Sequence, residues 1–248
     1  MISAGYFEAV RRLLEVLEKE QGENIAKAGE MIAGAVANGK VVHIHDTGHI
    51  LNQEAFGRAG GPLFVFPFSF GLNVNSPVNH PRGQTRVKGS MEDRLRFIGY
   101  ALDTSNIVAG DVLIISSVSG TSAEIVELAS AAMKRGVKVI ALTTTTYAKA
   151  PGVKSEYPSG KFLYQMCDIC IDHPGEVGDG VLELPGLSVK ICPTSGITAV
   201  CAFWAIMAEA MDGLTRRGIV PSVLRKVHIE GSDDYNSKAR ERYSKLGY

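Results

Sequence analysis

The chain has 248 residues, 45% of them hydrophobic, which supplies one substantial buried core: one domain with decorated loops, or one domain with short appendages. Lysine plus arginine and aspartate plus glutamate both number 26, so no global positive field exists to recruit nucleic acid or an anionic membrane, and any anion selectivity must be local. No run approaches about 18 uninterrupted apolar residues. The first twenty residues carry charges throughout, without the apolar stretch of a signal peptide, so the expectation is a soluble, cytoplasmic protein.

Phe7, Val10, Leu13, Leu14 and Leu17 recur at helical spacing through residues 5–20. A second helix is expected over 24–38, closed by Asn38-Gly39, giving two N-terminal helices within about 5–38. Val41-Val42-His43-Ile44-His45 reads as a short strand that breaks at Asp46-Thr47-Gly48. A helical pattern resumes over 51–59 and stops at Gly60-Gly61, and 63–68 is the second apolar strand. Residues 69–90 are rich in Asn, Pro, Gly and Arg, a length of loop that is usually functional or mobile. A helix follows over 91–106.

Asp111–Ile115 (DVLII) is apolar on both faces, as a central parallel strand must be. It enters Ser116–Ser122 (SSVSGTS), then a helix over 122–135, then a strand over 137–142 followed by Thr143–Thr146. A fifth strand is expected over 167–171 and an irregular segment over 173–190. An apolar helix over 195–214 and a short charged helical tail, about 237–248, complete the chain. Strands alternating with helices give a parallel sheet covered on both faces, and such sheets bind ligands beyond the carboxyl ends of their strands. That rule singles out 46–52, 116–122, 143–146 and the residues after Ile171.

Of the four cysteines, Cys167 and Cys170 form a C-x-x-C pair. An odd separation within a strand puts them on opposite faces, so all four (with Cys192 and Cys201) read as reduced core cysteines.

The segment 116–122 packs five hydroxyls and one glycine into seven residues. Gly120 lets the backbone turn so that successive N–H groups face inward, and the dipole of the following helix favours negative charge. The result is an uncharged cradle for a tetrahedral oxyanion. The lysine of a nucleotide-binding loop is missing.

Residues 111–142, with strand, S-x-S-G-x-[ST] loop, helix and the R-G-V-K-V-I-A-L-T strand, resemble the sugar isomerase (SIS) domain. Asp46-Thr47-Gly48-His49, Glu54 with Arg58-Ala59-Gly60-Gly61, Gly178-Asp179, Glu183–Leu187 and Gly231–Asp234 extend the resemblance, the later runs towards a single-domain bacterial subgroup similar to phosphoheptose isomerase-like proteins. It implies one SIS domain over 1–248, an α/β three-layer α-β-α sandwich with a five-stranded parallel sheet. It also implies a homodimer or homotetramer with sites near the interface. By the same resemblance Ser117, Ser119 and Ser122, with the backbone of Gly120 and Thr121, hold the anion of a sugar, and Thr47 and Gly48 belong to the first substrate loop. Glu54 and His49 are the acid–base candidates.

The reaction so implied is aldose–ketose isomerisation of a phosphorylated or otherwise anionic sugar, such as a sulfonated one, through an enediol, with no cofactor. The alternatives are a non-catalytic sugar-phosphate sensor and an etherase- or dehydratase-like lyase on an amino-sugar phosphate. His43, His45 and His49 also suggest a metal, with Glu54 or His173 completing the set. Packed strand histidines are the commoner outcome, and no metal is expected. Ile50 stands where the family commonly has a serine; His80, Arg82 and Arg86 of the long loop are candidate anion contacts in compensation. His173 and the Thr194-Ser195 cap of the last long helix are further candidates near the ligand region.

Overall fold

Alternation along each strand decides the layers. In the computed structural model, which describes residues 1–48, 51–73, 75 and 89–248, five strands form one parallel sheet. They are β1 (Val42–Asp46), β2 (Val65–Pro67), β3 (Val112–Ser116), β4 (Lys138–Thr143) and β5 (Ile169–Asp172), in the order β2-β1-β3-β4-β5. Val42, Ile44, Ile114, Ile140, Leu142 and Ile171 face one side. Leu113, Ile115, Val139 and Ala141, offset by one residue, face the other. The first side is covered by α1 (Ile2–Ala37) and α6 (Ser195–Arg216), the second by α3 (Met91–Asp103) and α4 (Ala123–Lys134). This is the three-layer sandwich expected from the pattern.

The N-terminal region departs from the two-helix expectation. One helix of 36 residues runs unbroken through Gly22 and Asn24. An interior glycine costs only about 1 kcal/mol of helix propensity, whereas continuing the helix buries Ile25, Ala28, Ile32, Ala33 and Val36 against α6 and the sheet. The two helices pack closely because the contact uses glycines: a Cβ on Gly29 would stand 2.3 Å from Glu209 Cβ, and one on Gly213 2.9 Å from Ala33 Cβ. α6 is long and apolar enough to cross a membrane, yet half of that stretch is buried inside the protein.

Other boundaries shift for local reasons. The helix expected over 51–59 is the single turn α2 (Leu51–Glu54). In the segment read as irregular, Gly180–Leu182 (β6) and Ile191–Pro193 (β7) pair antiparallel. β6 comes so close to its partner that a Cβ on Gly180 would lie 2.4 Å from the Lys190 carbonyl oxygen. A short helix, α5 (Thr146–Lys149), follows β4. The last helix, α7 (Ser232–Leu246), starts five residues earlier than its charged tail suggested, because Gly231 enters it at φ +74°.

The C-x-x-C pair is also placed differently. β5 begins at Ile169, so Cys167 precedes the strand and does not alternate with Cys170. Both pack beside the α3/α4 core and their thiols interact, which lowers the Cys167 pKa and raises that of Cys170. All four cysteines are free and partly exposed.

Candidate anion site at the carboxyl ends of the strands

A cavity of about 720 Å³ opens where β1, β3 and β4 end, within the size range of small-molecule sites. The serine loop forms one wall through Ser116, Ser117, Val118 and Ser119; Asp46, Thr47, Gly48 and Leu51 form the next. Ser195, Gly196 and Ile197 bring in the start of α6, and Tyr6, Tyr147 and Asp179 complete the lining. Among the described lining residues there is no lysine or arginine.

The loop is held by its carbonyl edge. Ser116 O accepts from Thr47 N at 3.0 Å, and Val118 O from Thr144 N at 2.8 Å and Thr143 Oγ1 at 3.2 Å. Gly120 O accepts from Leu163 N at 3.0 Å, and Thr121 O from Glu156 N at 2.9 Å. By contrast, the N–H groups from Val118 to Ser122 have no acceptor among the described residues. A run of unengaged N–H groups ahead of a helix N-terminus is the arrangement that binds oxyanions. Gly120 permits it: its φ is +58°, and a Cβ there would meet Thr143 Oγ1 at 2.8 Å and Leu163 Cβ at 3.0 Å.

The hydroxyls are not equivalent. Ser117 and Ser119 line the cavity, and Ser119 Oγ lies 3.0 Å from Thr121 Oγ1. Thr121 and Ser122 stand behind the lining. Ser122 Oγ donates to Glu124 Oε2 at 2.8 Å. Burial alone would raise the Glu124 pKa, but that hydroxyl and the Arg94 guanidinium, 2.5 Å away, hold it below the usual range.

Thr47 and Gly48 line the cavity. Glu54 does not line it. Its carboxylate, at the end of α2, pairs with Arg58 beyond the helix at 3.1 Å. His49, and His80, Arg82 and Arg86, lie outside the described residues. Two aspartates do line the cavity, Asp179 and, at the end of β1, Asp46. Asp46 Oδ1 accepts from Gly48 N at 2.9 Å, while its Oδ2 is buried with no partner among the described residues. In sequence it stood only as part of the loop, since nothing there shows which strand-end side chain turns inward.

The α6 cap comes from a distance. Asp179, at φ +65°, accepts from Thr194 N at 3.1 Å, Ser195 N at 2.8 Å and Ser195 Oγ at 2.6 Å. Thr194, the expected cap, has a buried hydroxyl without a partner among the described residues. Tyr6 donates to Pro193 O at 3.1 Å and Tyr147 accepts from Gly178 N at 3.0 Å. Neither tyrosine carries a sequence signal, because only the tertiary fold brings α1 and α5 to the cavity.

The histidines sort by environment. His43 Nε2 lies 3.4 Å from Asp111 Oδ2, in ion-pair range but without hydrogen-bond geometry. His45 hydrogen-bonds Phe68 O at 2.9 Å and stacks on Phe70. Burial lowers both pKa values. His173 is fully buried and absent from the lining, and burial pulls its pKa down to about 4. Among the described residues no three His, Cys, Asp or Glu side chains group to hold a metal.

A five-stranded parallel sheet with a serine-rich, glycine-turned loop at the carboxyl end of its central strand defines a class. The SIS domain family model matches residues 5–144, and the chain belongs to that family. A UPF0309 protein of Shouchella clausii is 32% identical over 96% of this chain and 95% of its own length. One of Streptomyces avermitilis is 34% identical over 96% and 93%. Among solved structures, the phosphoheptose isomerase from Neisseria gonorrhoeae aligns with a TM-score of 0.51 at 18% identity, over 86% of this chain and 97% of that one. The phosphoheptose isomerase from Francisella tularensis aligns at 0.52 and 16%, over 85% and 95%. At these identities the likeness is one of fold.

Proposed function

We propose that the cavity binds a sugar carrying a phosphate or comparable anion, and that the protein interconverts its aldose and ketose forms. The observation that carries the reading is the serine loop: five successive N–H groups without acceptors among the described residues, at a helix N-terminus, beside the Ser117 and Ser119 hydroxyls. The anion rests there, and the sugar extends towards Asp46, Tyr147 and the start of α6.

Isomerisation requires a base that carries a proton between adjacent carbons through an enediol. Glu54 serves as that base if its ion pair with Arg58 opens on binding, with His49 assisting ring opening. A binding-only role is the second reading, favoured by the absence of Glu54 from the cavity lining. The two readings separate by NMR of a bound sugar phosphate in D2O. Isomerisation gives a ketose with deuterium at C1, and deuterium at C2 of the aldose re-formed through the enediol; a sensor gives neither. In the isomerase, Glu54→Gln abolishes turnover and preserves binding, and an active Glu54→Gln protein would remove Glu54 from the mechanism.

The assembly proposed with this reading is a homodimer or homotetramer. Ile2 and Phe7 are exposed on α1 beside Tyr6, so an apolar strip borders the cavity. Cytoplasmic location and the lack of nucleic-acid or membrane partners accord with the zero net charge.

A further inference from the structure

Cys167 and Cys170, which the proposed function does not use, stand at an edge of the sheet. β5 ends the strand order, and both cysteines are partly exposed there. Asp168, between them, is clamped to β4: its N donates to Val139 O at 2.9 Å and its Oδ2 accepts from Val139 N at 2.8 Å. Both thiols then meet at the next position of β4 on the same face. Cys170 pairs in register with Ala141, and the Ala141 N–H reaches the Cys167 sulfur. Both side chains pack against the α3/α4 core. Cys201 packs on the opposite face of the sheet and Cys192 lies in the β6–β7 pair.

The two thiols differ in chemistry. A hydrogen bond from the Cys170 thiol, helped by the Ala141 N–H, holds the Cys167 pKa below the ordinary thiol range, although burial opposes it. The same hydrogen bond, and then burial, raise the pKa of Cys170. A more acidic thiol beside a protonated partner is the division of labour between an attacking and a resolving cysteine.

The pair is also tied to the serine loop. The Cys167 thiol donates to Tyr164 O at 3.4 Å, within the turn Leu163–Gln165. Leu163 is fully buried, and its N–H donates to Gly120 O at 3.0 Å. One short turn therefore supports the loop at one end and holds the Cys167 sulfur at the other.

We propose that Cys167 and Cys170 form a thiol–disulfide exchange site for a small disulfide of the glutathione type, and that closing the bond between them loosens the turn beneath Gly120. The Cys167 thiolate attacks one sulfur of the small disulfide, breaking its S–S bond and expelling a thiolate, which takes up the proton that Cys167 gave up. Cys170 then loses its proton, attacks the Cys167 sulfur and expels the second thiolate, which is protonated in turn. The protein pair is oxidised by two electrons and the small disulfide is reduced to two thiols. Cys167 no longer has a hydrogen for Tyr164 O, and the two sulfurs draw together to about 2.05 Å.

The test is oxidation of the full chain by glutathione disulfide, read by intact mass and peptide mapping. No sugar is present, so the outcome is independent of the anion site. The expected product has lost two hydrogens, carries a Cys167–Cys170 bond and no glutathione, and returns to the thiol form with dithiothreitol. Cys170→Ser, which lacks the second thiol, retains one glutathione on Cys167, and Cys167→Ser leaves Cys170 unmodified. A wild type that keeps glutathione, stays reduced, or oxidises first at Cys192 or Cys201 overturns the site, without any variant having to fold. Glutathione held by Cys170 in Cys167→Ser overturns the assigned order of attack. Hydrogen exchange at the Leu163 amide reads the coupling: it rises roughly tenfold or more on oxidation, and an unchanged rate overturns the link to Gly120.

Discussion

Gly120 sets the geometry of the proposed anion loop, because the loop needs a residue at φ +58° with no room for a Cβ. Gly120→Ala places a methyl group 2.8 Å from Thr143 Oγ1, which must displace the loop or strain it by about 1–3 kcal/mol. The expected outcome is a lower denaturation midpoint and loss of anion binding, both read by thermal shift with and without inorganic phosphate. Unchanged binding would mean that the loop backbone is not the anion site. Ser119 and Ser122 should likewise separate, since the Ser119 side chain lines the cavity whereas the Ser122 hydroxyl is spent on Glu124.

His173 makes the stability depend on pH. Its folded pKa is about 4, below the ordinary 6.5, so between those values the unfolded chain binds the proton and the folded one does not. Stability is therefore highest above about pH 6.5 and falls as the pH drops towards 4, by about 3 kcal/mol for a shift of this size. Urea denaturation at several pH values should show this slope, and His173→Gln should flatten it. An identical slope in the variant would assign the effect to other groups.

At the scale of elements, the α1–α6 contact carries one whole layer of the sandwich. Gly29→Val at that crossing should destabilise by at least the 1–3 kcal/mol typical of overpacking, since its Cβ would fall 2.3 Å from that of Glu209. Equilibrium denaturation measures it, and a neutral effect would mean that the helices can part without loss.

This crossing also shows where reading the chain residue by residue stops. The five sheet strands were legible because fully apolar runs such as Val112–Ile115 sit between turn residues, and the serine loop was legible because five hydroxyls at a strand end are uncommon. The single α1 helix was not, because Gly22 and Asn24 weaken local propensity and only packing against α6 restores the helix. The β6–β7 pair was hidden for a similar reason: three-residue strands carry too little period to register. Within the site, Thr47, Gly48, Ser117 and Ser119 came from the motif pattern. Asp46, Asp179, Tyr6 and Tyr147 depend on tertiary placement, and Glu54 turns to Arg58, four residues on and beyond the end of α2.

The whole molecule presents a cavity with no described lysine or arginine, and in the proposed reading the partial charges of the backbone do the work of a cation. Such a site discriminates by geometry, since N–H groups fixed by the sheet and by Gly120 fit a tetrahedral oxyanion and gain little from a planar carboxylate or a neutral sugar. The most direct measurement is calorimetric titration of wild type and Ser119→Ala with a panel of sugar phosphates, each paired with its unphosphorylated sugar. The account predicts that at least one sugar phosphate binds, that its unphosphorylated partner does not, and that Ser119→Ala weakens binding roughly tenfold or more, the loss of a hydrogen bond to a charged group. Binding that ignores the phosphate, or that survives Ser119→Ala and Gly120→Ala unchanged, would contradict it.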